Sequence, residues 1–200
     1  MRLVLPLALA LAPAATFAQV QPQSSGAPLL SAEQQIVSAV LPVPAEFRAT
    51  ATVLGYGADR KLTTIRKGTG PFTCLASDPA LERFHVACYH NSLEAFMARG
   101  RDLRAKGITE LEKVDSVRFA EVKSGALQMP RSGAALYSLT GGRFDPAKGT
   151  AEGARPLFVI YVPNATPESI GLSASPSGSA PWLMFPGTPK AHVMFTPTMR

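Results

Sequence analysis

Cys74 and Cys88 are the chain's two cysteines, and the way the chain begins sets their fate. The first eighteen residues, MRLVLPLALALAPAATFA, place Arg2 before an apolar run from Leu3 to Ala15, with Thr16 and Ala18 closing it. That pattern reads as a secretory signal peptide spanning residues 1–18, cut after Ala18 to leave Gln19 first. Pro6 and Pro13 break the run, and it falls short of the roughly 20 apolar residues that a membrane span needs. The residue after the cut is not cysteine, so no lipid anchor is expected, and no later stretch predicts a membrane span. An exported chain, secreted or periplasmic, meets an oxidising space, where an even cysteine count predicts a disulfide. The segments PFTCLA and FHVACYH, separated by the turn-forming SDPALER, read as neighbouring strands that bring Cys74 and Cys88 together. Closing a loop of about 15 residues removes unfolded-state entropy worth roughly 3 kcal/mol.

The same heptad, FHVACYH, raises a metal-site reading that strand geometry opposes. Side chains alternate along a strand, so Phe84, Val86, Cys88 and His90 share one face and His85 takes the other. On a helix His85 and Cys88 are neighbours, but His90 lies about 140° round from His85. Neither conformation converges all three, so both histidines are read as ordinary strand residues and no metal centre or cofactor is called for.

About 180 residues remain after the leader, enough for a single domain burying roughly two thirds of its surface. Loss of Arg2 leaves 19 basic residues against 14 acidic ones, a net charge of +5. The basic residues are scattered, without aromatic interleaving, so no nucleic-acid partner is expected. Residues 19–28, QVQPQSSGAP, read as a loose polar tail before a domain spanning residues 29–200. Ser31 caps a short helix with Ile36, Val37, Val40 and Leu41 at helical spacing, stopped by Pro42 and Pro44. The next forty residues change period: ATATVLGY, KLTTIRKG, PFTCLA and FHVACY are threonine-, valine- and aromatic-rich runs parted by GADR, GTG and SDPALER. They predict an antiparallel meander. KGTG lacks the GxxxxGK[ST] spacing of a phosphate loop and is read as a hairpin turn between strands.

Two helices follow. Asn91 or Ser92 caps the first, which sets Leu93, Phe96, Met97 and Leu103 on one side and ends at Gly107. Thr109 with Glu112 forms a capping box for the second, whose apolar stripe is Leu111, Val114, Val117 and Val122. Arg99, Arg101, Arg104, Lys106, Lys113, Arg118 and Lys123 are assigned to the outer faces. Because Glu94, Asp102, Glu110, Glu112, Asp115 and Glu121 interleave with them, a solvated surface is expected rather than an anion-binding face. The last third returns to strands: AALYSLT, the continuous apolar LFVIYVP, and WLMF and AHVMF joined by PGTPK. GGRFDPAKGTAEGARP and NATPESIGLSASPSGSAP read as long loops, either functional or mobile. The predicted fold is α+β: a largely antiparallel sheet with both helices packed on one face and one disulfide.

Chemistry is harder to extract. No GxSxG elbow accompanies the serines of SASPSGSA, and a triad would have to use His85, His90 or His192. No pair of carboxylates is singled out. If AHVMF is a strand, His192 and Met194 share a face, with Met184 and Trp182 on the paired strand. Imidazole and thioether suit Cu(I), but Trp182, Met184, Val193 and Phe195 as core, Met194 as gap filler and a hydrogen-bonded His192 account for the pattern more simply. The expected function is noncatalytic binding of a small molecule or protein partner through the proline-rich loops near the C-terminal hairpin, with His192, Met194 and Trp182 as candidate ligand-binding residues. A hydrolase using a C-terminal histidine and a copper-binding protein using His192 and Met194 are the alternatives.

The stretches IRKGTGPFTCLASDP and APWLMFPGTPKAHVMF, with strands like AALYSLT and FVIYVPNAT between them, resemble a group of uncharacterised exported bacterial proteins. Those share a lysine-glycine-threonine then phenylalanine-threonine-cysteine-leucine hairpin and a late glycine-threonine-proline then alanine-histidine segment. The resemblance implies that both cysteine-bearing strands and the final hairpin belong to one fold unit, and it brings no activity, cofactor or catalytic residue.

Overall fold

The computed structural model describes residues 28–196 except 177; the expected signal peptide and most of the expected polar tail lie outside the described residues. Helix α1 (Ala32–Ala39) starts as expected, with Ser31 and Gln34 exchanging side-chain to backbone hydrogen bonds in a capping box. After the turn through Pro42 a single short helix, α2 (Ala45–Arg48), follows. Strands β1 (Thr52–Tyr56), β2 (Leu62–Arg66), β3 (Phe72–Leu75) and β4 (His85–His90) come next. Helices α3 (Glu94–Ala105) and α4 (Leu111–Lys123) separate them from β5 (Ala134–Thr140), β6 (Arg143–Asp145), β7 (Thr150–Glu152) and β8 (Arg155–Tyr161). A helical turn, α5 (Pro167–Ile170), precedes β9 (Trp182–Met184) and β10 (His192–Phe195). Eight strands form one sheet in the order β2-β1-β3-β4-β5-β8-β10-β9, antiparallel except where β1 meets β3. The predicted α+β architecture is therefore the observed one. Among the described residues, no helix is long and apolar enough to cross a membrane.

The first four strands are not the meander that their spacing predicts. β2 and β3 both pair with β1, so KGTG is not a hairpin turn: it carries the chain around the start of β1 and makes β3 run parallel to it. The Gly68 amide donates to Thr52 Oγ1 (3.1 Å) and the Gly70 amide to the Thr50 carbonyl (2.8 Å). A Cβ at Gly68 would fall 2.2 Å from the Thr50 carbonyl oxygen, so glycine is there to let two backbones touch. The stretch GGRFDPAKGTAEGARP is likewise more than a loop, since β6 and β7 pair within it as a separate hairpin.

The helix entries also differ from expectation. His90, not Asn91 or Ser92, is the cap: its Nδ1 accepts from the Ser92 amide (3.2 Å) at the head of a 3-10 turn that leads into α3. Glu110, not Thr109, stands before α4 and makes no side-chain capping bond. Gly107 does end α3, in the left-handed region (φ 88°), and the Ile108 amide reaches back to the Leu103 carbonyl (3.0 Å).

The core lies on both sides of the sheet. On one side Val53, Phe72, Cys74 and Cys88 pack with Ala39, Val40 and Val43 of the α1 region. Buried Gln35 fastens α1 there, accepting from the Tyr56 amide (2.7 Å) and donating to the Tyr56 carbonyl (3.0 Å). On the other side Tyr89, Leu93, Val159 and Tyr161 form a cluster joined by Met97 of α3. Cys74 and Cys88 are opposed across β3 and β4, joined as a disulfide, and fully buried. The bridge is consistent with a non-cytoplasmic, oxidising location. Replacing both cysteines by alanine is expected to lower the unfolding free energy by about 3 kcal/mol, read as a shifted urea midpoint against the oxidised parent.

Candidate functional site

The C-terminal hairpin does place the expected residues on one face. His192 pairs with Met184 and Met194 with Trp182, so the four side chains of β9 and β10 point to the side that carries α3 and α4. Their surroundings differ. Met194 joins the apolar cluster of Tyr89, Leu93 and Tyr161, which is a packing role. Trp182 is half-buried on the edge strand. His192, only 6% exposed, has its ring between Tyr161 (5.1 Å between centroids) and Phe185 (5.7 Å). Its Nδ1 lies 2.7 Å from the Lys190 carbonyl, which can only accept, so Nδ1 carries the proton. Burial lowers the imidazole pKa, against the raising effect of that hydrogen bond, and so favours the neutral ring. Tyr161 is pushed up to about 12, chiefly by burial.

Beside this ring lies an ion cluster that local sequence does not reveal. Lys190 Nζ sits 2.8 Å from Asp115 Oδ2, although 75 residues separate them, and Arg118 pairs with the other carboxylate oxygen. Asp115 and Arg118 were assigned to solvated helix faces; the side chains of Asp115, Arg118 and Lys190 are instead 13%, 5% and 12% exposed. Interleaved charge on α4 hid this, because Asp115 and Arg118 also satisfy the i,i+3 pattern of a surface pair. The Arg118 guanidinium lies 3.8 Å over the Phe96 ring and donates to the Phe96 carbonyl (3.2 Å). Its Nε is buried without a hydrogen-bond partner among the described residues. Gly100 of α3 makes room for it: a Cβ there would stand 3.0 Å from Arg118 Nη1. Burial disfavours the charged Asp115 carboxylate, but hydrogen bonds from Lys190 and Arg118 outweigh that and hold its pKa below the usual range. The cluster ties α4 to the loop before β10.

Elsewhere on the helices Arg104, Lys106, Lys113 and Lys123 are exposed as expected, whereas Arg99 and Arg101 are half-buried. Arg99 bonds Glu121 across the pair (Nε to Oε2 2.8 Å) as well as Asp102, and Arg101 reaches Glu94 (2.6 Å). His85 and His90 take opposite faces of β4, as strand alternation requires; His90 shares the Cys88 face and meets Phe72 edge-on (5.8 Å).

The opposite side of β5, β8 and β10 carries a feature that the sequence reading missed. There the covering helices stop, and Ala135, Tyr137, Phe158, Ile160 and Phe195 line an open trough of about 420 Å³, with Ser179 of the proline-rich loop at its rim. Tyr137 and Phe158 meet edge-on at 5.5 Å, continuing a row that runs back through Phe72 to Phe47. Ile160 is 39% exposed. Alternation within AALYSLT and LFVIYVP assigns Tyr137 and Phe158 to faces only once the strands are known to be neighbours, and the 16 residues between those segments conceal that pairing.

Two outcomes test the ion cluster and the histidine beside it. Lys190→Met removes one cation from a mostly buried carboxylate that keeps Arg118, and is expected to cost about 3 kcal/mol, the lower end of values for breaking buried pairs, measured by urea denaturation. The acid dependence follows from His192 and Asp115, with His85, lowered by burial and by Arg83, adding to the decline near neutrality. Where the folded pKa is below the unfolded one, the unfolded chain binds more protons, so stability falls as pH drops. His192 begins to contribute below about 6.5 and Asp115 below about 4. Stability measured at pH 7, 6 and 5 is expected to decline, and His192→Gln to flatten the decline over that range.

Set against protein-family models, curated proteins and solved structures, the chain matches none.

Proposed function

We propose that this chain is an exported, noncatalytic domain that binds an uncharged, apolar small molecule in the trough on β5, β8 and β10, and that it belongs with the exported proteins its cysteine and C-terminal segments resemble. The observation that carries the reading is a concave aromatic surface left uncovered in the middle of the sheet, where Ile160 stays 39% exposed. Its volume of about 420 Å³ lies within the range of roughly 300–1,000 Å³ typical of small-molecule sites. The lining supplies aromatic faces and aliphatic groups, with the hydroxyls of Tyr137, Ser179 and Thr196 as polar handles and, among the described residues, no charged side chain. A charged ligand would have to shed its hydration there without a partner, which selects a neutral one. The proline-rich loop and the C-terminal strand both contribute, through Ser179 and Phe195, in keeping with a binding role for those segments.

The hydrolase and copper alternatives both call on His192. Its ring is packed between two aromatics with Nδ1 committed to a carbonyl, and Met194 is in the core, which favours packing over either chemistry.

Titration with the neutral fluorophore N-phenyl-1-naphthylamine checks the proposal. Saturable enhancement is expected from the parent. Ile160→Asp, which puts a carboxylate into the trough at a part-exposed position, is expected to weaken binding at least tenfold, about 1.4 kcal/mol, with the melting temperature held. Undiminished binding by that variant would place the ligand elsewhere.

A further inference from the structure

Strand β2 is the last strand on its side of the sheet, and among the described residues nothing pairs with its outer side. The Gly57 amide donates to the Lys61 carbonyl (3.1 Å) at the mouth of the β1–β2 hairpin. Because hydrogen-bonded pairs alternate along an antiparallel ladder, Thr63, opposite Gly55, also turns its main-chain groups toward β1. Leu62 and Thr64 therefore direct theirs outward, offering an amide and a carbonyl apiece to another strand.

The charge of this edge is one-sided. Residues 60–67, RKLTTIRK, contain Arg60, Lys61, Arg66 and Lys67 and no acid, and Arg60, Lys61 and Lys67 are exposed. The guanidinium of Arg60 bonds the Pro79 carbonyl (3.4 Å), and that of Arg66 bonds the Ala51 and Arg48 carbonyls (3.0 Å to Ala51). Neutral acceptors leave both positive charges uncompensated. Asp59 approaches Lys61 only to 3.9 Å, with both side chains more than half exposed, and such a pair offsets little. Between the basic ends, Thr63 and Thr64 are exposed, β-branched and small, suited to cross-strand packing. Self-pairing of two β2 edges with Leu62 opposite Thr64 would set Arg60 against Arg66 of the other copy, and like charges opposed across a ladder repel. Opposite charge is what the edge can accept.

We propose that the β2 edge is a docking strand for an extended acidic peptide segment of a protein partner, paired through the main chain of Leu62 and Thr64 and flanked by carboxylates facing Lys61 and Lys67. This surface is independent of the trough.

The test uses the full exported chain and a fluorescein-labelled peptide, EEVTVTEE, with KKVTVTKK as control and heparin as competitor. Anisotropy titration is expected to show saturable binding of the acidic peptide, at least tenfold tighter than the basic one, a difference of about 1.4 kcal/mol. The double variant Lys61→Glu with Lys67→Glu should reverse the preference. Thr64→Pro, which deletes an outward amide, should weaken binding by a similar factor. Peptide should also slow amide exchange at Leu62 and Thr64 in the unaltered protein, a reading that decides the matter if the proline variant fails to fold. Equal binding of the two peptides, or displacement by heparin with no slowing of exchange at Leu62 and Thr64, would overturn strand addition and leave a general polyanion surface.

Discussion

Register across β3, β4 and β5 is the constraint on which the remaining features depend. Cys88 faces Cys74 on one side and Tyr137 on the other, so a covalent bond holds the first pairing and sets the face of β4 against which Tyr137 aligns. Strand side chains alternate, and a slip of one residue would exchange the two faces of a strand entirely. With the bridge in place, Tyr89 meets the helices, while Tyr137 and, through β8, Phe158 line the trough. The disulfide is thus a registration mark for the sheet as well as a restraint on the unfolded chain.

The two sides of the sheet are finished by different physics. Beneath α1 the closure is apolar and local in sequence, with Gln35 supplying the polar contacts that the end of β1 needs. Beneath α3 and α4 the apolar cluster is supplemented by charge: one carboxylate, Asp115, held between Arg118 and Lys190. Replacing such a cluster with hydrocarbon often leaves a protein no less stable, whereas removing a single member strands a charge in a poor dielectric. Its contribution here is therefore best described as specifying where the C-terminal hairpin docks.

What could be read from the residues was what short-range chemistry decides. The Ser31–Gln34 box, the glycine end of α3 and the strand character of eight segments all follow from neighbours within a few residues. So does the cysteine pairing, given an oxidising space. Errors arose where a local pattern had two solutions. KGTG suits a hairpin and equally a passage around another strand's end, and only the presence of Thr50 and Thr52 against Gly68 decides between them. Thr109 with Glu112 has the spacing of a capping box, but the chain turning back at Ile108 starts the helix later. Arg118 looks like a surface cation on α4 until Gly100 of another helix opens a slot for it. The trough was illegible for a related reason: it is a property of strand order and of where the covering helices end.

The long reach of Lys190 to Asp115 bears on how the protein is made. Synthesis runs from the N-terminus, so α3 and α4 are made before Lys190, which follows Asp115 by 75 positions and completes their ion cluster. Contacts so distant in sequence form late, after the entropic cost of closing a long loop has been met. Until then Asp115 has Arg118 alone, and the helical side of the sheet waits for the last hairpin to seat.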